Sequence, residues 1–379
     1  MFEAGQKAER GRTAMIKEGK FGIQEAVWLT TIAISAKVFF SSPATLAGLV
    51  GTAGWYMTIL SAAIALIGFL FIYLLLKRFP GKDLAEIFDL SLGRILGFAF
   101  SGIMAVYMFF VAITRLAEFT EVIRVYVFPL SPNWYIVSIY IICVFILSRL
   151  GLESIARFSK LLIYIMLAGF AIVLALGVKN YHANNIYPIL GYGLDKTISM
   201  GIARSSVYGE VIILAVFAGS FQGVKYIKKE GIISIGLSTL LISVSLLSFT
   251  LTFPYYTAQE ITAPMYEMAT LIDYGRYLQR VEPIFLFIWI LSTLISTTIV
   301  FYSFVWVYCK MFRIQDKKPV ILGSAVILFS ASLMHKDIVS VIFGNVRFIR
   351  NYGSIAIFIL PLFTLIIAAL RKKEAKENA

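Results

Sequence analysis

The sequence predicts an all-α polytopic membrane protein of about ten transmembrane helices. Three observations carry that expectation. Apolar residues make up 59% of the 379-residue chain, against about 45–50% in a soluble globular protein, and mean hydropathy is +0.85. Apolar runs recur along the whole length, most of them close to the roughly 20 residues that a spanning helix needs. The net charge of +13 comes from basic residues that punctuate the gaps between those runs. That is the topology signal of a membrane protein, not the clustered patch of a nucleic-acid binder.

In chain order the spans are expected at about 22–52, 56–77, 95–127, 134–149, 156–177, 200–223, 231–253, 282–309, 319–334 and 352–370. Three of these runs are longer than a bilayer requires, so they tilt, break or project beyond it. Lysine and arginine then set the orientation. Lys7, Arg10, Arg12, Lys17 and Lys20 precede span one. Further groups follow spans two, four, six and eight, and the chain ends on Arg371, Lys372, Lys373 and Lys376. The alternate gaps hold Lys179, Lys196, Arg276, Arg280, Lys336, Arg347 and Arg350, so the balance is roughly 23 against 7. By the positive-inside rule both termini face the cytoplasm. The expected organisation is a cytoplasmic tail over 1–21, one transmembrane unit over 22–371 and a cytoplasmic tail over 372–379. The tail 1–21 lacks the apolar core of a cleaved signal peptide, so span one is expected to remain as an uncleaved anchor.

Two gaps have their own structure. "DLAEIFDLSLG" (83–93) places Leu84, Ile87 and Phe88 on one face of a short interfacial helix, with Asp83 as N-cap. The tyrosine-rich gap 254–281 faces outside and either covers a vestibule or joins spans seven and eight. Cys143 and Cys309 lie in or beside apolar runs, and His182 and His335 stand alone in loops. Neither a disulfide framework nor a metal site is expected, and no cofactor. Phosphate-loop, zinc and serine-triad patterns are missing, so an enzyme is not expected.

The informative residues break the rules of lipid. "ISAKVFFSSP" (34–43) puts Lys37 and Pro43 inside span one. Lys37 lies about 15 residues in, roughly 22 Å at 1.5 Å per residue, too deep to snorkel easily to either face. Glu210 in "SSVYGEVIIL" (205–214) is comparably deep in span six, preceded by Gly209. Intramembrane charges are rare and mark ligand or ion paths. The interrupted spans are five apart, so the two halves run in opposite directions, and secondary transporters place their sites where such helices meet. Unwound backbone offers free N–H and C=O groups to a ligand. Lys37 has a second reading, as a neutralising partner for Glu210. In span three, Arg115, Glu118, Glu121 and Arg124 are spaced by three. They form either a self-satisfied ladder at the outer rim or, through Glu118 or Glu121, the wall of an access path. In span eight, Ser296 and Thr297 either bond back to their own helix or face the first break and help to hold a cation.

Several stretches resemble the spore germination permease family: "GLESIARFSKLL" (151–162), "YGEVIIL" (208–214), "LQRVEPIFLFIWI" (278–290) and, less distinctly, "VRFIRNYGSIAIFILPLF" (346–363). The resemblance extends over nearly the whole chain. It implies the integral-membrane B subunit of an endospore germinant receptor, within the amino acid–polyamine–organocation transporter superfamily. It further implies a five-plus-five inverted repeat with broken helices one and six. The first repeat is placed at about 22–177 and the second at about 200–334, with extra helices to 371. A small germinant, an amino acid, is expected between spans one, three, six and eight, at Ser35, Ala36, Lys37, Val38, Phe39, Tyr208, Gly209 and Glu210. Implied partners are the A subunit and the lipoprotein C subunit, with membrane lipid around the chain and no nucleic acid. The implied location is the spore inner membrane or the cell membrane. Related transporters often carry a glycine-rich turn in the first break, whereas "SAKVF" has a lysine and no glycine. Lys37 then either binds the ligand carboxylate or substitutes for a bound sodium ion. A proton-coupled amino-acid transporter is the alternative function, and a non-binding scaffold or channel component is a second alternative.

Overall fold

A computed structural model describes residues 22–221, 223–275, 281–335 and 337–374. The tail 1–21, Arg276, Arg280, Lys336 and residues 375–379 lie outside that description. Among the described residues eight helices are long and apolar enough to cross a membrane; with the shorter Lys317–Ser332, and with Ile23–Ser35 and Ser42–Val50 taken as one interrupted span, the order is that of ten spans. Span one is split into Ile23–Ser35 and Ser42–Val50. Spans two to five are Gly54–Arg78, Arg94–Tyr126, Asn133–Leu150 and Leu152–Gly177. Span six runs Leu194–Val216 and is interrupted. Spans seven to ten are Val224–Thr252, Glu282–Phe312, Lys317–Ser332 and Ile338–Leu370. The protein is therefore an all-α polytopic membrane protein, and the irregular helices are spans one and six.

Burial identifies the centre of the bundle. The most apolar windows of spans six and eight are 67% buried, against 33–44% for the other long spans. Span eight packs along spans three, five and one, and span seven along spans one and two. Hydroxyls knit these seams, because lipid offers no water to satisfy a freed carbonyl. Ser234 and Ser238 of span seven donate to the Val27 and Thr31 carbonyls of span one at 3.3 and 3.4 Å. Gly231 lets span seven meet the Phe69 ring of span two directly, since a Cβ there would enter the ring. Gly191, at φ +55°, lies against the Val50 carbonyl and seats the loop before span six on the end of span one.

The interfacial helix forms at Leu84–Leu92. The Asp83 carboxylate caps it by accepting the Glu86 N–H at 3.0 Å, and Leu84, Ile87 and Phe88 are buried. Lys310 of span eight reaches both acids, at 3.0 Å to Asp83 and 2.8 Å to Glu86. Burial, reinforced by the Glu86 charge, holds the Asp83 carboxyl above its ordinary value although Lys310 opposes the shift. At the same lysine- and arginine-rich end, Lys160 of span five pairs with Glu25 of span one at 2.8 Å.

Span ten departs most from the sequence expectation. It begins at Ile338, not near 352, so Arg347 and Arg350 lie inside it and not in a loop. Its polar residues lower the local hydropathy, but Arg350 turns inward and is buried. Two π-helical stretches, Val341–Val346 and Ile355–Ile359, flank this segment. Span six likewise starts earlier than expected, at Leu194.

Candidate functional site

The site begins with the interruption of span one. The first half-helix ends at Ser35, a 3₁₀ turn covers Ala36–Phe39, and the helix resumes at Ser42 with Pro43 in its first turn. Proline is tolerated there because a first-turn N–H has no intrahelical partner anyway. In span six, helix Leu194–Ala203 gives way to 3₁₀ geometry over Ser205–Ile212 before helix Ile213–Val216. The two interruptions lie side by side and expose carbonyls that a continuous helix would consume.

Side chains from three further spans fill the junction. The Lys37 ammonium donates to the Val207 carbonyl and to the Glu210 carboxylate. The other Glu210 oxygen accepts from Arg115 of span three. Arg115 also donates to the Ser296 carbonyl at 3.0 Å and to its hydroxyl, and lies 3.5 Å from the Ala33 carbonyl of span one. Ser296 itself donates to that Ala33 carbonyl at 3.0 Å. One guanidinium thus ties spans one, three, six and eight together. Its planar fork holds donors in a fixed geometry wide enough to reach acceptors on different helices, a span that a compact ammonium does not cover. Glu118, one turn along span three, accepts from the Ser41 backbone N–H at 3.0 Å and from the Ser41 hydroxyl. It therefore caps the second half of span one. Lys37, Arg115, Glu118 and Glu210 are all buried.

The remaining predicted residues divide between this junction and its surroundings. Val38 lines the junction, and Gly209 faces Ile357 and the Tyr107 hydroxyl. Ala36 is buried in the 3₁₀ turn, and the Phe39 side chain lies outside the described residues. Ser35 turns back to its own helix, donating to Thr31 at 2.7 Å. The Tyr208 hydroxyl points to span two and donates to the Thr58 carbonyl at 3.1 Å. Thr297 accepts from Tyr140 of span four at 3.0 Å. Glu121 pairs with Arg124 at 2.6 Å and accepts from Asn133 at 3.0 Å, the local pairing expected of a ladder. Arg115 does not join that ladder; its carboxylate partner is Glu210.

Sequence reasoning missed Arg204, Arg350 and Tyr107. Arg204 ends the first helix of span six, and Arg350 faces it from span ten. Both were hidden by position, one at a span end and one in an assumed loop. Their signal was the charge itself, since an arginine within reach of an apolar run has to be satisfied somewhere.

The junction is closed. Two adjoining cavities of about 20 Å³ each share Lys37, Ser42, Val346 and Arg350 in their walls. Each is large enough for about one water. Helix Pro264–Thr270, from the gap between spans seven and eight, packs against the 36–39 turn and span eight with Met265 and Met268 buried. It covers the site from the end opposite the interfacial helix.

Comparison with known proteins now bears on this geometry. The family model described as spore germination protein matches residues 24–341. The chain belongs to the spore germination permease family. Within that family it is similar to spore germination protein KB of Bacillus subtilis (strain 168), with 21% identity over 343 residues covering 86% of this chain and 90% of the relative. It is also similar to spore germination protein A2 of the same organism, with 24% identity over 342 residues covering 84% and 87%. Among solved structures, this permease-family chain resembles Mhp1, a nucleobase-cation-symport-1 family transporter in a closed conformation with bromovinylhydantoin bound. The TM-score is 0.58 at 15% identity, covering 85% of this chain and 72% of that one. The spore germination permease thus has a transporter-like fold, with its two interrupted helices meeting at a buried charge cluster.

Proposed function

We propose that the chain is the integral-membrane subunit of a spore germinant receptor. It binds a small nutrient, an amino acid, between spans one, three, six and eight, and binding triggers germination through the A and C subunits. The observation that carries this reading is the buried cluster of Lys37, Glu210 and Arg115 at two facing helix breaks, closed down to water-sized cavities. A nutrient enters only if the bundle opens, so its binding energy is coupled to a conformational equilibrium. Moving a population from 1:99 to 99:1 takes about 5.5 kcal/mol of differential binding. The Lys37 ammonium lies between the Val207 carbonyl and the Glu210 carboxylate, the type of oxygen pair that holds a hard cation. It therefore acts in place of a bound sodium ion, and the ligand carboxylate is held elsewhere. The charge bias of the gaps supports cytoplasmic termini, and the family supports placement in the spore inner membrane. The 22–371 region then functions as one transporter-like unit with two repeats.

Complementation of a spore strain lacking this chain tests the reading. Lys37→Met should weaken the germination response while leaving the protein at normal abundance in the membrane. A wild-type response from that strain would remove the first break from the site. The transporter-like fold favours one rival, a proton-coupled permease. Sustained uptake of labelled amino acid into liposomes under a pH gradient would establish transport in place of sensing.

A further inference from the structure

We infer that Arg350 and Arg204 form an anion subsite for the carboxylate of the bound solute, on the side of the junction formed by spans six and ten. This inference rests on the ligand chamber proposed above and assigns its polarity. The walls of the two adjoining cavities carry four cationic side chains, Lys37, Arg115, Arg204 and Arg350, and two carboxylates, Glu118 and Glu210. Lys37 and Arg115 share Glu210. Glu118 is taken up by Ser41. Glu210 and Glu118 act on Arg350 from a distance, but among the described residues no carboxylate lies within ion-pairing distance of Arg350 or Arg204.

Both arginines are only 8% exposed. The Arg204 Nε is fully buried and lacks an acceptor among the described residues, and the ionised groups that act on this guanidinium are themselves cations, Arg350 and Arg347. The C-terminal end of helix Leu194–Ala203 attracts its charge but supplies no acceptor for that nitrogen. Arg350 lines both cavities, and among the described residues its hydrogen bond beyond its own helix is made by its backbone carbonyl, which accepts from Ser206 at 2.9 Å. Buried guanidinium groups are ordinarily paired, and their forked donors match a carboxylate in bidentate fashion. A solute carboxylate fills this vacant role.

The nine-residue helix Ser42–Val50 starts at the same cavities, with Ser42 in both walls, and its N-terminal dipole is met by the Glu118 carboxylate, which leaves the two arginines as the open cationic groups. Arg350 is carried on a segment with π-helical geometry on either side, a distortion often found at functional sites. A solute carboxylate at Arg350 and Arg204 would draw span ten toward span six and couple occupancy to helix movement.

Thermal unfolding of the purified full chain in nanodiscs tests the assignment. The probes are the twenty L-amino acids, each beside its C-terminal amide, together with glucose, adenosine and potassium chloride. At least one amino acid should raise Tm, and its amide should need at least tenfold more for the same shift. Arg350→Met and Arg204→Met should each raise the half-saturating concentration of the acid at least tenfold, while Arg157→Met, an exposed change at the basic end, should leave it unchanged. The comparison of acid with amide needs no variant, so a variant that fails to fold does not blunt the test. Equal effects of acid and amide, equal stabilisation by chloride, stabilisation by glucose or adenosine and by no amino acid, or half-saturation indifferent to both arginines would overturn the subsite and leave the chamber standing. No stabilisation by any probe would overturn both.

Discussion

Neutralising Glu210 should be the most damaging single charge change in the protein, and the structure says by how much. Glu210 is the shared partner of Lys37 and Arg115, all three buried. Glu210→Gln preserves shape but leaves two cations without a counter-charge, beside Arg350. Removing one partner of a buried pair costs about 3–5 kcal/mol. At about 2 °C per kcal/mol for a large chain, Tm should fall by about 6–10 °C. Lys37→Met is milder, because Arg115 still neutralises Glu210, and what is lost is the donor to the Val207 carbonyl and to one of the two Glu210 oxygens. That loss is worth about 1–3 kcal/mol. The double variant should recover part of the Glu210→Gln loss, since one of the two stranded cations is gone. A favourable coupling of about 0.5–3 kcal/mol is expected for such contacting groups. The assay is thermal unfolding of the four proteins in one detergent. Additive single effects, or a larger loss from Lys37→Met than from Glu210→Gln, would refute the shared-carboxylate arrangement.

Arg115→Lys should lower stability by about 1.5–3 kcal/mol, the worth of hydrogen bonds to a charged group, because separate guanidinium nitrogens reach Ser296 and Glu210 and a single ammonium nitrogen does not span that separation; equal Tm would count against the fork. Gly231→Ala should cost about 1–3 kcal/mol by overpacking, since the new Cβ enters the buried Phe69 ring, and Phe69→Leu should relieve most of that loss in the same Tm measurement. Asp83 has a folded-state carboxyl held above its ordinary value of 3.8, so the folded protein binds more protons than the unfolded chain over that window and stability falls as pH rises through it. Asp83→Asn should flatten that decline in a Tm–pH series, and an unchanged slope would contradict the assignment.

The sequence alone determined the class of the molecule, the ten apolar spans and the two places where they fail. Those features are local. A run of about 20 apolar residues has to be a helix in lipid, and Lys37 or Glu210 is conspicuous wherever it falls in such a run. The N-cap of the interfacial helix was equally legible, because Asp83 and Glu86 act over three residues. Pairing across the bundle was not. Arg115 read as one rung of a ladder because Glu118 follows it by three residues, yet its partner is 95 positions away. Arg350 read as a loop residue because hydropathy averages over a window and cannot see which way one side chain turns. Which charges share a carboxylate, and which are left for a ligand, depends on distances between helices that are close in space and remote in the chain. Only the packed bundle fixes those distances.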